Sequence, residues 1–151
     1  MTLSATSFCD IYKLQLLQGF REIKLRELQQ KTGDSNPAIA RFMDNLAAQA
    51  RHCRKEIASL LKTSIRPSFE LLNTECWHPM FHMREVLFTK RNEVSLKEVI
   101  SQINETTGNI YRRVLDKATG LPGIVSALLS QQHSDLLKAS HHFPVEPESR
   151  R

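Results

Sequence analysis

The sequence predicts an all-α fold: a bundle of four long helices in which the second and third are joined by one long crossover. Three observations predict it. Apolar residues recur with a 3.6-residue period in four separate segments. Five glycines and six prolines in 151 residues are few, and they fall mainly at the breaks between those segments. Two of the three links are short, as between antiparallel neighbours, and one is long. A chain of 151 residues is expected to form a single domain over 1–151, with a core over about 8–143 and a polar tail at 144–151.

Helix A is expected over about 8–31, with Ser7 and Asp10 as a capping pair and Gly33-Asp34 ending it. Its apolar residues do not form one stripe. Leu16, Leu17, Phe20, Ile23 and Leu28 lie on one side, while Ile11, Leu14 and Leu25 project to a neighbouring sector. A helix apolar over more than one face packs on two things, so Ile11, Leu14 and Leu25 are assigned to a self-association face. Helix B occupies 36–65, with Asn36 as N-cap and Pro37 at the first helical position. Its stripe runs through Ile39, Phe42, Met43, Leu46, Ala50, Cys53, Ile57, Leu60 and Leu61.

Arg66-Pro67 ends helix B, and a crossover follows to Val94, with a short extra helix expected over 80–90. Helix C opens on Ser95-Leu96-Lys97-Glu98, a full capping box, with Val94 and Val99 as a hydrophobic staple. Its stripe is Ile100, Ile103, Thr107, Ile110 and Val114, and Gly120 is the expected C-cap. Helix D has Pro122 in its first turn, a stripe from Leu121 through Gln132 to Phe143, and a stop at Pro144.

Composition narrows the function classes. The net charge is +5 and the pI about 9.3, yet the basic residues are dispersed and interleaved with acids, so a nucleic-acid-binding surface is not predicted. Cys9, Cys53 and Cys76 contain no C-x-x-C pair, and an odd count makes no disulfide framework. Reduced thiols and a cytoplasmic location are the expectation. Residues 1–10 lack the features of a signal peptide, and no apolar run is long enough to span a membrane.

In the middle of helix B, Gln49-Ala50-Arg51-His52 has the i,i+3 spacing of a Glu-x-x-His metal motif with glutamine in place of the carboxylate. Gly19-Phe20-Arg21-Glu22, the Phe42…Leu46…Gln49…Cys53 stripe, His78 with Phe81, and Leu121-Pro122…Leu128…Gln132…His141 follow in order along the chain. In that combination the chain resembles the ferritin-like superfamily, and within it a small bacterial four-helix-bundle family of unknown function. The resemblance covers roughly 14–143. It implies a ferritin-like connectivity and a pair of core metal ions, usually iron, held by four carboxylates and two histidines.

The ligand positions depart from that pattern. Glu27, Gln49, His52 and Gln132 are the weak metal candidates. The inward position of helix C is Thr107, with Glu105 on the opposite side, and helix D offers no Glu-x-x-His. Neutral amides and a hydroxyl are poor substitutes for anionic oxygen. Gln49, Thr107 and Gln132, joined by Glu27 if its face is inward, are expected either to form a polar layer in the core or to sit at the stripe's edge and bond solvent. Cys76, His78 and His82 lie within seven residues and offer a zinc reading, against which stands packing under Trp77 and Phe81. No Gly-rich phosphate loop, nucleophile elbow or kinase signature is present.

The functional expectation is a non-enzymatic bundle that has lost its metal site, carries no cofactor, and works as a homodimer or with a protein partner. The alternative is an iron- or manganese-binding redox or storage protein with an unconventional site.

Overall fold

The structure, a computed structural model, describes residues 3–32, 36–64, 95–117, 121–141 and 143–144. Among the described residues there are four helices and no strand: α1 (Ala5–Thr32), α2 (Pro37–Lys62), α3 (Leu96–Asp116) and α4 (Gly123–Ser140). The expected short helix over 80–90, the Cys76-His78-His82 cluster, the Gly120 cap and residues 145–151 of the tail lie outside the described residues. Among the described residues, no helix is long and apolar enough to cross a membrane.

The helix starts are set by side-chain caps. Asn36 Oδ1 accepts the Ile39 N–H at 3.2 Å, with Pro37 opening α2. Ser95 Oγ accepts the Glu98 N–H at 3.2 Å and starts α3. Helix α1 begins earlier than the Ser7–Asp10 pair implied. Ser4 is the cap, its Oγ accepting the Ser7 N–H at 3.1 Å and its carbonyl the Phe8 N–H at 2.9 Å. Asp10 instead faces Lys13 at 3.7 Å. The added turn, Ala5 to Ser7, lies between two buried apolar positions, Leu3 and Phe8. Pro122 precedes α4 as its N-cap, and no side chain caps that end.

Contacts between helices fix their directions. Along α1, Glu22 reaches Arg54, Arg21 reaches Gln49 and Arg26 reaches Asp44, so α1 and α2 are antiparallel. Gln18 meets Tyr111 and Arg21 meets Asn104, so α3 is antiparallel to α1. Tyr111 meets Gln132, while Gly108 lies against Leu136, so α4 is antiparallel to α3. The α1–α2 and α3–α4 pairs are thus two hairpins packed side by side.

The apolar core falls into two main clusters. One gathers Ile11, Leu14, Leu17, Ile57, Val114 and Leu129. The other gathers Leu25, Ile39, Met43, Leu46 and Ile100, closed by Phe143, whose ring meets Phe42 edge-on at 5.2 Å. Ile11, Leu14 and Leu25 are 0% exposed within the single chain. The expectation that they form a self-association face is therefore corrected. Helix α1 packs on both α2 and α3, and its second apolar sector is satisfied inside the monomer.

On the outer seam of the first hairpin, Glu22 takes Arg54 at 3.4 Å and Arg26 at 3.5 Å, and Arg26 takes Asp44 at 3.0 Å. Pairs this accessible contribute about 1 kcal/mol at most. Gly108 sits where α3 crosses α4. A Cβ there would stand 3.7 Å from His133 Nε2 and 3.8 Å from a Leu136 methyl, ordinary contact distances. Gly108→Ala is therefore expected to raise stability, by up to about 1 kcal/mol, through helix propensity. Urea denaturation checks this, and a lower midpoint would show that the crossing cannot give.

Candidate functional site

Between the two apolar clusters lies a polar cluster, and its centre is Arg21. Its side chain is 0% exposed. The guanidinium donates from Nε to Asn104 Oδ1 at 3.1 Å, from Nη1 to Gln18 Oε1 at 3.0 Å and from Nη2 to Gln49 Oε1 at 3.1 Å. These are all neutral amide oxygens, so the buried cation is held by dipoles and has no carboxylate among its hydrogen-bond partners. Burial pulls its pKa down to about 10, against a smaller upward pull from Cys53 and Tyr111. The group is a cation at neutral pH.

The cluster continues from Gln18. Its Nε2 donates to the Tyr111 hydroxyl at 2.8 Å, and that hydroxyl donates to Gln132 Oε1 at 2.7 Å. Gln132 Nε2 donates to the Cys53 carbonyl at 3.2 Å and to Glu56 Oε1 at 3.1 Å. Burial pushes the Tyr111 phenol pKa up, so the phenol is neutral and available as both donor and acceptor. All four helices contribute, and among the described residues no buried side-chain nitrogen or oxygen lacks a partner. That completeness matters, because each orphaned polar group at this depth costs about 1–3 kcal/mol.

The sequence-predicted positions are distributed unevenly over this arrangement. Gln132 is 2% exposed and central to it, and Gln49 is half-buried on Arg21. Thr107 is buried at the same level, but its hydroxyl donates to the Ile103 carbonyl of its own helix at 2.7 Å. It fills space and bonds to no other member. Glu27 is exposed and stands outside the cluster, which corrects its placement near the inner face of α1. His52 is exposed as well, with Nε2 3.5 Å from Glu56. Glu27, Gln49, His52 and Gln132 do not converge. Among the described residues no group of three or more His, Cys, Asp or Glu could hold a metal ion.

The residues sequence reasoning passed over are Gln18, Arg21, Asn104 and Tyr111. The signal was present. Ile11, Leu14, Gln18, Arg21, Leu25 and Leu28 follow one another at alternating intervals of three and four residues, the spacing of a buried seam. Two polar residues in its middle divert attention to the more apolar neighbouring sector, where Ile23 proves 53% exposed.

The two described cysteines differ. Cys53 is a free buried thiol whose pKa burial pushes up to about 11, opposed by Arg21. It is expected to resist iodoacetamide at neutral pH until the chain unfolds, which mass spectrometry of native and denatured samples would show. Cys9 is disulfide-bonded, its partner outside the described residues. The expectation of reduced thiols throughout is corrected for that residue.

His133 stacks on Tyr111, with ring centroids 6.2 Å apart and planes 6° from parallel. Burial first and Arg112 second lower its pKa from the ordinary 6.5. A depressed histidine pKa means that the unfolded chain takes up the proton first. Stability is expected to be unaffected by this residue above pH 6.5 and to fall as pH drops through that value. The loss levels off below the folded-state pKa. His133→Gln should shrink the loss over that window in paired denaturation curves.

No family model, curated protein or solved structure matches the chain.

Proposed function

We propose that this chain is a non-enzymatic, ferritin-like helical bundle in which a polar cluster built on Arg21 stands in place of a di-metal centre, and that it works by self-association or by binding a protein partner. The observation that carries the reading is the fully buried Arg21 guanidinium on three amide oxygens in mid-core. A divalent ion at that level would face a fixed positive charge in a medium of low dielectric, with neutral amides where carboxylates are needed. Among the described residues, those at that level do not fit a di-iron or di-manganese centre. The helix directions support the ferritin-like reading, because two antiparallel hairpins with a long second connection are that superfamily's arrangement.

Elemental analysis of protein expressed in iron- and manganese-supplemented medium tests the first half. The expected result is no stoichiometric metal; two ions per chain would establish the redox or storage alternative instead. Sedimentation equilibrium tests the second half, with a homodimer expected. A monomer that recovers no partner in pull-downs would overturn it. A cytoplasmic location belongs to the same proposal, and subcellular fractionation tests it. The chain is expected in the cytosolic fraction, and recovery from an oxidising compartment would overturn that part of the proposal.

A further inference from the structure

We infer that the Arg21 cluster is the register key between the two helical hairpins: it selects one axial alignment of α1–α2 against α3–α4 from several that the apolar residues would accept. The inference stands independently of the functional reading above.

Within each hairpin the alignment is set by covalent means. Helix α1 ends at Thr32 and α2 begins at Pro37; α3 ends at Asp116 and α4 begins at Gly123. Links of that length leave little freedom to slide. Between the hairpins the connection is much longer, since α2 ends at Lys62 and α3 begins at Leu96. The length of that connection is compatible with several axial positions.

The apolar residues do not fix it either. The buried seam of α1 carries Ile11, Leu14, Leu17 and Leu25, and those facing it include Ile100, Ile103 and Val114. Sliding one hairpin by a turn, about 5–6 Å, sets aliphatic residues against other aliphatic residues at the two ends of the seam, whereas Asn104, Thr107, Gly108 and Tyr111 occupy the middle of α3. The polar residues break this degeneracy. A one-turn slide carries Arg21 away from Asn104, Gln18 away from Tyr111, and Gln132 away from the Cys53 carbonyl and Glu56. Among the described residues, the hydrogen bonds recorded between the hairpins all belong to this one cluster. A buried polar residue that fixes register in an otherwise apolar seam is the best attested use of such groups.

The test measures register directly. Spin labels on Gln30→Cys and Ser101→Cys, both exposed positions on α1 and α3, report the offset between hairpins by pulsed electron resonance. The native chain should give one narrow distance. The variant Gln18→Leu, Arg21→Leu, Asn104→Leu, Gln132→Leu should stay helical and give two or more distances about 5–6 Å apart along the axis. A single native distance in that variant, or loss of its helices, overturns the inference, since the cluster would then supply only stability or nothing. A second variant moves the key by one turn: Gln18→Leu, Arg21→Gln, Leu25→Arg. Its expected result is a displaced distance. An unchanged distance, or failure to fold, counts against the key.

Discussion

Replacing Arg21 with alanine is expected to lower the free energy of unfolding by about 2–5 kcal/mol. The loss has two parts. The guanidinium leaves a cavity, and the amide oxygens of Gln18 and Asn104, both nearly inaccessible to solvent, lose their donor. Arg21→Lys should recover little of this, because one ammonium cannot place three donors in the plane that the fork provides. Arg21→Met keeps most of the volume, so it separates the two parts, and the residual loss relative to native measures the stranded amides. Guanidinium denaturation of the three variants checks the order, with native highest and alanine lowest. An alanine variant within about 1 kcal/mol of native would mean that water enters the space left by Arg21 and satisfies the amides.

The second large effect is at Tyr111. Tyr111→Phe removes one oxygen that accepts from Gln18 and donates to Gln132, so a donor and an acceptor are orphaned together. About 1–3 kcal/mol of stability should be lost. Gln132→Leu removes the next member and should cost a similar amount. The two changes should not add. Once Tyr111 has no hydroxyl, part of what Gln132 contributed is already gone, and a double-mutant cycle is expected to show coupling of about 0.5–3 kcal/mol. Strict additivity would mean that the two residues act separately, against the 2.7 Å bond that joins them.

The helices themselves were legible because their signals are local. Asn36-Pro37 and the Ser95 box are cap chemistry written in four residues, and both caps form as expected. The α2 stripe identifies its buried face for the same reason, since every fully buried residue on it is apolar, whereas α3 also buries Asn104 and Tyr111, which its stripe left out. Helix α1 misled because its inward face carries Gln18 and Arg21, the residues a hydrophobic-stripe criterion rejects first. A charged residue can occupy a core only when partners arrive from other helices, and Asn104 and Gln49 are 83 and 28 residues away. No local pattern records that convergence. The same limit explains the correction at Ile11, Leu14 and Leu25: a second apolar sector on a helix does not say whether the third helix or a second molecule covers it. Glu27 was misplaced for the complementary reason, because once the seam runs through Arg21 the helix turns that carboxylate outward.

The short links within the hairpins also bear on how fast each part of the molecule assembles. Contacts between α1 and α2, and between α3 and α4, close small loops and are expected to form early, whereas joining the hairpins must first close a loop of more than thirty residues between Lys62 and Leu96. The cluster around Arg21 then belongs to the last step on the way in and the first on the way out. Weakening it should leave the folding rate nearly unchanged and raise the unfolding rate. The lifetime of the closed bundle, more than its speed of formation, is what this interior cation governs.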